Sequence, residues 1–251
     1  MKKTLILSII LLAAITSYSQ KILLEETLDN TNTGKKWGQN MRHYGHLYFG
    51  LGFAASGAEE GAEVKYGSSA NFDFGYRYKF KVCNFYALGA DLSFSATGFR
   101  LNQDEKTKLL PDNVEYDKES ISYGAIKMEV YQRFNFGKRG NHVGNFVDIG
   151  AYGSLLLYTQ HYTLDKKPDY APHLKRIEVT ETGLEYMDNF EYGVTARVGK
   201  GRWVLFGRYR LSDLFLETTD LDNPTTTMIT TPLVKYPELP ALQVGIEVGL
   251  Y

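Results

Sequence analysis

Leu242-Gln243-Val244-Gly245-Ile246-Glu247-Val248-Gly249-Leu250-Tyr251 alternates without a break. Leu242, Val244, Ile246, Val248 and Leu250 fall on one side of an extended chain, and Gln243, Glu247 and the glycines on the other. A period of two is the mark of a half-buried strand. Tyr251 is out of phase with the apolar side and shares the side of Glu247. The stretch predicts a closing strand, one that joins the last edge of a sheet to its first.

Seven similar stretches precede it. His43 to Ala55 sets Leu47, Phe49, Leu51 and Phe53 against Tyr44, His46, Tyr48, Gly50 and Gly52. Phe72 to Phe80 sets aromatic residues against Asp73, Gly75, Arg77 and Lys79. Further runs start at Tyr86, Ile126, Val147, Phe190 and Trp203, and their polar sides carry Asp91, then Lys127, Glu129 and Arg133, then Asp148, then Glu191 and Arg197, then Arg208 and Arg210. The connections alternate in length. Short ones fall at 81–84, 137–141 and 199–201, and long polar ones at 56–66, 100–119, 162–188 and 217–238. This pattern predicts an all-β fold: an eight-stranded antiparallel up-and-down transmembrane β-barrel, with short periplasmic turns, long extracellular loops and both termini on the periplasmic side.

The first residues point the same way. Met1-Lys2-Lys3, the apolar run from Leu5 to Ile15 and then Ser17-Tyr18-Ser19-Gln20 have the three parts of a secretory signal peptide. The expected division is therefore a signal peptide at 1–19, a periplasmic lead-in at 20–42 and the barrel at 43–251. The apolar run is shorter than the ~20 residues a membrane helix needs, so any span must be β. The single cysteine, Cys83, allows no internal disulfide, and a formal net charge of -1 provides no basic stripe for nucleic acid.

Alternation alone does not say which face meets lipid, because a soluble lipocalin-like barrel turns the apolar face inward. The polar side decides. It carries Asp73, Arg77, Lys79, Asp91, Lys127, Glu129, Arg133, Asp148, Glu191, Arg197, Arg208, Arg210 and Glu247, both signs mixed, with glycines and serines between. Small residues have a use in a narrow lumen, where they make room for ion pairs, and none on a solvated surface. The apolar side is nearly free of charge, as hydrocarbon contact demands. These thirteen residues are expected to form a lumen charge network that blocks general diffusion, porin-like in architecture only.

The signal ending Ser17-Tyr18-Ser19-Gln20, the run Phe146-Val147-Asp148-Ile149-Gly150-Ala151-Tyr152-Gly153 and the stretch from Leu242 to Tyr251 resemble the small outer-membrane β-barrel proteins of Bacteroidota, the PorT-like group. The resemblance covers residues 43 to 251. It implies insertion by the barrel assembly machinery, which reads a closing strand of this kind; the group's terminal aromatic usually lies on the lipid-facing parity, where Tyr251 does not.

Candidates for chemistry are few. His43 and His46 are three apart on a strand, hence on opposite faces. His142 falls in a short turn, and His161 and His173 lie in or beside the third long loop, near Ser154 and Tyr158, without a nucleophile spacing. Asp148 with Glu191, or Glu129 with Arg133, could be written as an acid and base, but a structural lumen network explains them as well. Lys166, Lys167, Lys175 and Arg176 could meet lipopolysaccharide phosphates or a partner protein. No cofactor or metal is expected. The function expected is a non-enzymatic barrel of a Gram-negative outer membrane, serving membrane integrity, adhesion or a secretion or assembly complex. Its partners would be outer-membrane lipid and lipopolysaccharide, with a protein at the surface loops or lead-in. A lipid-A-modifying enzyme and a small channel or uptake accessory are the alternatives.

Overall fold

The computed structural model describes residues 36–103, 110–111, 114–137, 140–166, 173–216, 218–219, 233–234 and 236–251. The expected signal peptide and most of the lead-in lie outside them. Alternating stretches become strands β1 (His43–Ala54), β2 (Ala70–Lys81), β3 (Tyr86–Arg100), β4 (Lys118–Phe136) and β5 (Asn145–Lys166). They continue with β6 (Arg176–Thr182), β7 (Phe190–Lys200), β8 (Trp203–Arg210), the two-residue strands β9 (Thr218–Thr219) and β10 (Leu233–Val234), and β11 (Leu242–Leu250).

Each strand pairs antiparallel with the next around a closed ring: β1, β2, β3, β4, β5, β7, β8, β11 and back to β1. The closing stretch lies between β8 and β1, with Ile246 opposite Leu205 on one side and Leu51 on the other. Closure removes every edge in the ring, so its backbone donors and acceptors meet inside the wall. Tight turns join β2 to β3 and β7 to β8 at one end. Gly201, at φ +59, supplies the left-handed residue that the second of these needs. The long connections gather at the opposite end.

The barrel has the polarity of a membrane protein. Outward residues are apolar and open, with Val130 67% and Leu205 62% exposed, while Arg77, Arg133 and Lys127 point inward and are 1% exposed. The lipocalin-like alternative would require the reverse. A water-facing wall of this composition would be an apolar patch far beyond what soluble proteins carry.

Three expectations about length are corrected. The fourth and fifth stretches, read from Ile126 and up to Leu157, run to Lys118 and Lys166, so β4 and β5 rise well past the apolar band. The third long loop, expected at 162–188, contains β6, which pairs with β5 alone over Gln160–Lys166 and makes a hairpin arm. The reason is local. Pairing shifts register between Gly124 and Ala125, which oppose Tyr158 and Leu156, so Leu157 is an extra residue in β5. This bulge reverses the parity beyond it. Above the bulge the outward face no longer needs apolar residues, and the alternation fades although the strand continues.

Apolar packing closes the loop end. Ala54, Val64, Phe99, Leu101, Ile121, Leu156, Met187, Leu214, Phe215 and Leu239 form a buried cluster contributed by strand ends and connections.

Candidate functional site

The lumen is where the unusual chemistry lies. Period two aims every second side chain inward, and all thirteen charged residues expected there are buried. Strand register then stacks them in layers.

Near the turn end, Arg133 grips Asp148 through two hydrogen bonds of 2.7 Å, and the guanidinium lies 3.6 Å from the centre of the Phe146 ring. Lys79 donates to the carbonyl of Gln39 at 2.5 Å. In the middle, Arg77 bridges Asp91 at 2.9 Å and Glu247 at 2.8 Å, with Tyr48 donating to the other oxygen of Asp91 at 2.8 Å. Arg197 pairs with Glu129, whose second oxygen accepts from Thr195 at 2.8 Å. Above these, Asp73 accepts from Lys127 and Arg208, each at 2.8 Å. At the loop end Tyr123 donates to Glu191 at 3.0 Å, and Arg210 reaches Glu238 at 3.0 Å and the Leu239 carbonyl at 2.8 Å. Charges removed from water are tolerable only with such partners, because losing one side leaves the other uncompensated.

Both mouths are covered. At the turn end, residues 39 and 40 cross the opening: Gln39 takes the Lys79 bond and Asn40 donates to the Gly140 carbonyl at 2.5 Å, in the turn between β4 and β5. Tyr251 adds an aromatic lid, edge-on to Tyr44 and to His46 with ring centres 5.7 and 5.2 Å apart. Its odd phase is thus an inward position, while Val244, Ile246 and Leu250 face outward and are exposed and Leu242 and Val248, on the same side, are half-buried. At the loop end the apolar cluster lies over the charge layers. A cavity among Thr97, Tyr152, Glu191, Arg208 and Arg210 measures about 10 Å³, room for about one water.

The candidate acid and base pairs are not brought together as such. Asp148 belongs to Arg133 and Glu129 to Arg197, and Glu191 accepts from a tyrosine. His43 packs outside and bonds the Tyr78 hydroxyl at 2.6 Å, whereas His46 is inside. His142 and His173 are exposed in turns, and Lys166 and Lys175 are exposed on the arm, where Arg176 pairs with Glu178. Lys167 lies outside the described residues. Among the described residues no cluster of three metal-ligating side chains occurs.

Sequence reading missed Glu119 and the inward turn of His161. Nε2 of His161 lies 2.8 Å from Glu119, and Nδ1 lies 3.1 Å from Glu181 on β6. Gln103 donates to the second Glu119 oxygen at 2.6 Å. Burial alone would lower the imidazole's pKa, but hydrogen bonds to the two carboxylates outweigh it and raise it above the ordinary histidine value. Extending the odd parity of Lys127, Glu129 and Arg133 down to 119 would have found the glutamate. Only the bulge at Leu157 brings His161 to it.

A closed ring with lipid-compatible walls, a charge-packed lumen and long connections at one end defines a small integral β-barrel membrane protein. The chain belongs to the outer membrane protein beta-barrel domain family, whose model matches residues 37–215. The match covers seven of the eight ring strands and stops before β11. Membership of this family makes the chain an integral outer-membrane protein. No curated protein matches the chain.

Proposed function

We propose that this protein is a closed, non-enzymatic barrel that fixes the β5–β6 arm and neighbouring loops at the outer surface, for membrane integrity, adhesion or attachment of a secretion or assembly complex. Within its family we place it in the PorT-like group of Bacteroidota. Behind a signal peptide the chain would be inserted by the barrel assembly machinery, with lipopolysaccharide as its lipid neighbour. The observation that carries this reading is the lumen, in which buried charges on facing strands are tied to one another under a cover at each mouth. A diffusion pore needs a wide wet lumen, which eight strands do not give. An enzyme of the rim needs a free base. His161 is bonded through both ring nitrogens, which leaves no lone pair for a substrate proton.

Mass spectrometry of lipid A from a strain lacking the gene tests the non-enzymatic part. Acyl chains and phosphates identical to those of the parent are expected; a changed lipid A would make the protein an enzyme. Affinity capture from detergent-solubilised membranes tests the interaction part, with a reproducible partner lost when the arm is deleted.

A further inference from the structure

The outer wall is hollow where β3 and β4 leave the apolar band. Ala96 pairs with Gly124 and Gly98 with Ser122, so four adjoining outward positions carry little or no side chain. Phe94 stands below them. Leu157 and Tyr158, both turned outward by the bulge in β5, form the far wall. Together they bound an open groove of about 440 Å³ with almost entirely apolar walls.

The groove is continuous with the lipid-facing band and ends where the band ends. The next outward residue of β3 is Arg100, opposite Ser120, and the next on β4 is Lys118. Arg100 lies two residues past Gly98, a rise of about 6.6 Å, and Lys118 lies four past Ser122, about 13 Å. They are the first charges on the outward side of these strands. Among the described residues neither is drawn into an ion pair with a carboxylate. Across the ridge of Leu157 and Tyr158 a second groove carries Glu185 and Asn189, a setting that repels an anion.

We propose that the first groove holds one acyl chain of lipid A, with a lipid A phosphate bound by Arg100 and Lys118. The long connections mark this end as the outer leaflet, where lipid A is the phosphorylated lipid. A chain laid in the groove replaces the side chains missing at Gly98 and Gly124, and its headgroup arrives at the height of the two cations. A second barrel packed against this wall would leave both cations without an anion. The proposal rests on the outer-membrane placement and not on the closed lumen.

Native mass spectrometry of the detergent-folded protein tests it, with three lipids added separately: bisphosphorylated lipid A, its dephosphorylated form and phosphatidylglycerol. Gly98→Phe fills the groove; a Cβ at Gly98 meets nothing nearer than the Ser122 Cβ at 3.9 Å, so the wall keeps its backbone. Gly207→Phe, at an outward position with open space, is the control. A basic residue beside a headgroup gives roughly a fivefold preference, so the pair predicts on the order of 25-fold stronger retention of lipid A than of its dephosphorylated form. Arg100→Ala with Lys118→Ala removes that preference, and Gly98→Phe lowers lipid A retention to the background while Gly207→Phe does not. Equal retention by Gly98→Phe and wild type overturns the proposal, and phosphatidylglycerol held as well as lipid A overturns the choice of lipid. The heat-dependent gel mobility of a folded barrel, run on every variant, reports failure of the membrane assignment separately.

Discussion

Arg208 crosses the lumen to Asp73, 2.8 Å away, and so ties β8 to β2, strands that are not neighbours in the ring. Lys127 reaches the same carboxylate from β4. One inward carboxylate therefore braces the barrel at three points around its wall.

Removing that carboxylate should be far more costly than removing a surface acid. Asp73→Ala leaves two buried cations without an anion, a loss of about 3–5 kcal/mol. Urea unfolding followed by gel mobility should show a lower midpoint, and a midpoint unchanged from wild type would mean the bracing contributes nothing.

Glycines inside and outside the wall should respond oppositely. A Cβ on inward Gly75 would lie 2.6 Å from the Ser93 Cβ, 2.8 Å from the Tyr48 ring and 2.9 Å from the Leu92 carbonyl, whereas at outward Gly207 it meets nothing within 4 Å. Gly75→Ala should cost about 1–3 kcal/mol by overpacking. Gly207→Val should leave stability unchanged or raise it, since a branched residue suits a strand better than glycine. Thermal midpoints of the two variants in one detergent decide the matter.

The surface arm should loosen as pH rises. The His161 proton is held more tightly in the folded protein than in the unfolded chain, so its contribution is complete below about pH 6.5 and lost as pH climbs through the higher folded value. Limited proteolysis of the β5–β6 arm between pH 5.5 and 8.5 should quicken with pH in wild type. His161→Gln should remove that dependence; parallel profiles would refute the bracket's role.

Much of this was legible in the chain. Wherever one face had to be apolar and the other packed with charge, as at Phe72 to Phe80 and at Leu242 to Leu250, alternation alone placed each side chain correctly. It failed above the band. Between Thr159 and Lys166 water or protein lies on both sides, so nothing forces alternation, and one extra residue at Leu157 inverts the faces. The arm strand β6 offers only Ile177 and Val179 on one face, too short an alternation to stand out from a charged stretch, and read as loop. The place of Tyr251 also needed three dimensions, because its partners Tyr44 and His46 are about two hundred residues away in sequence.

A closed lumen underlies the proposed function. Planar-bilayer recording of the refolded protein, at both polarities and in high salt, tests it most directly. Closure predicts a flat baseline with no current steps, also after residues 36–42 are deleted, because the charge layers remain in place behind that cover. Discrete, reproducible steps from the wild-type barrel would contradict it.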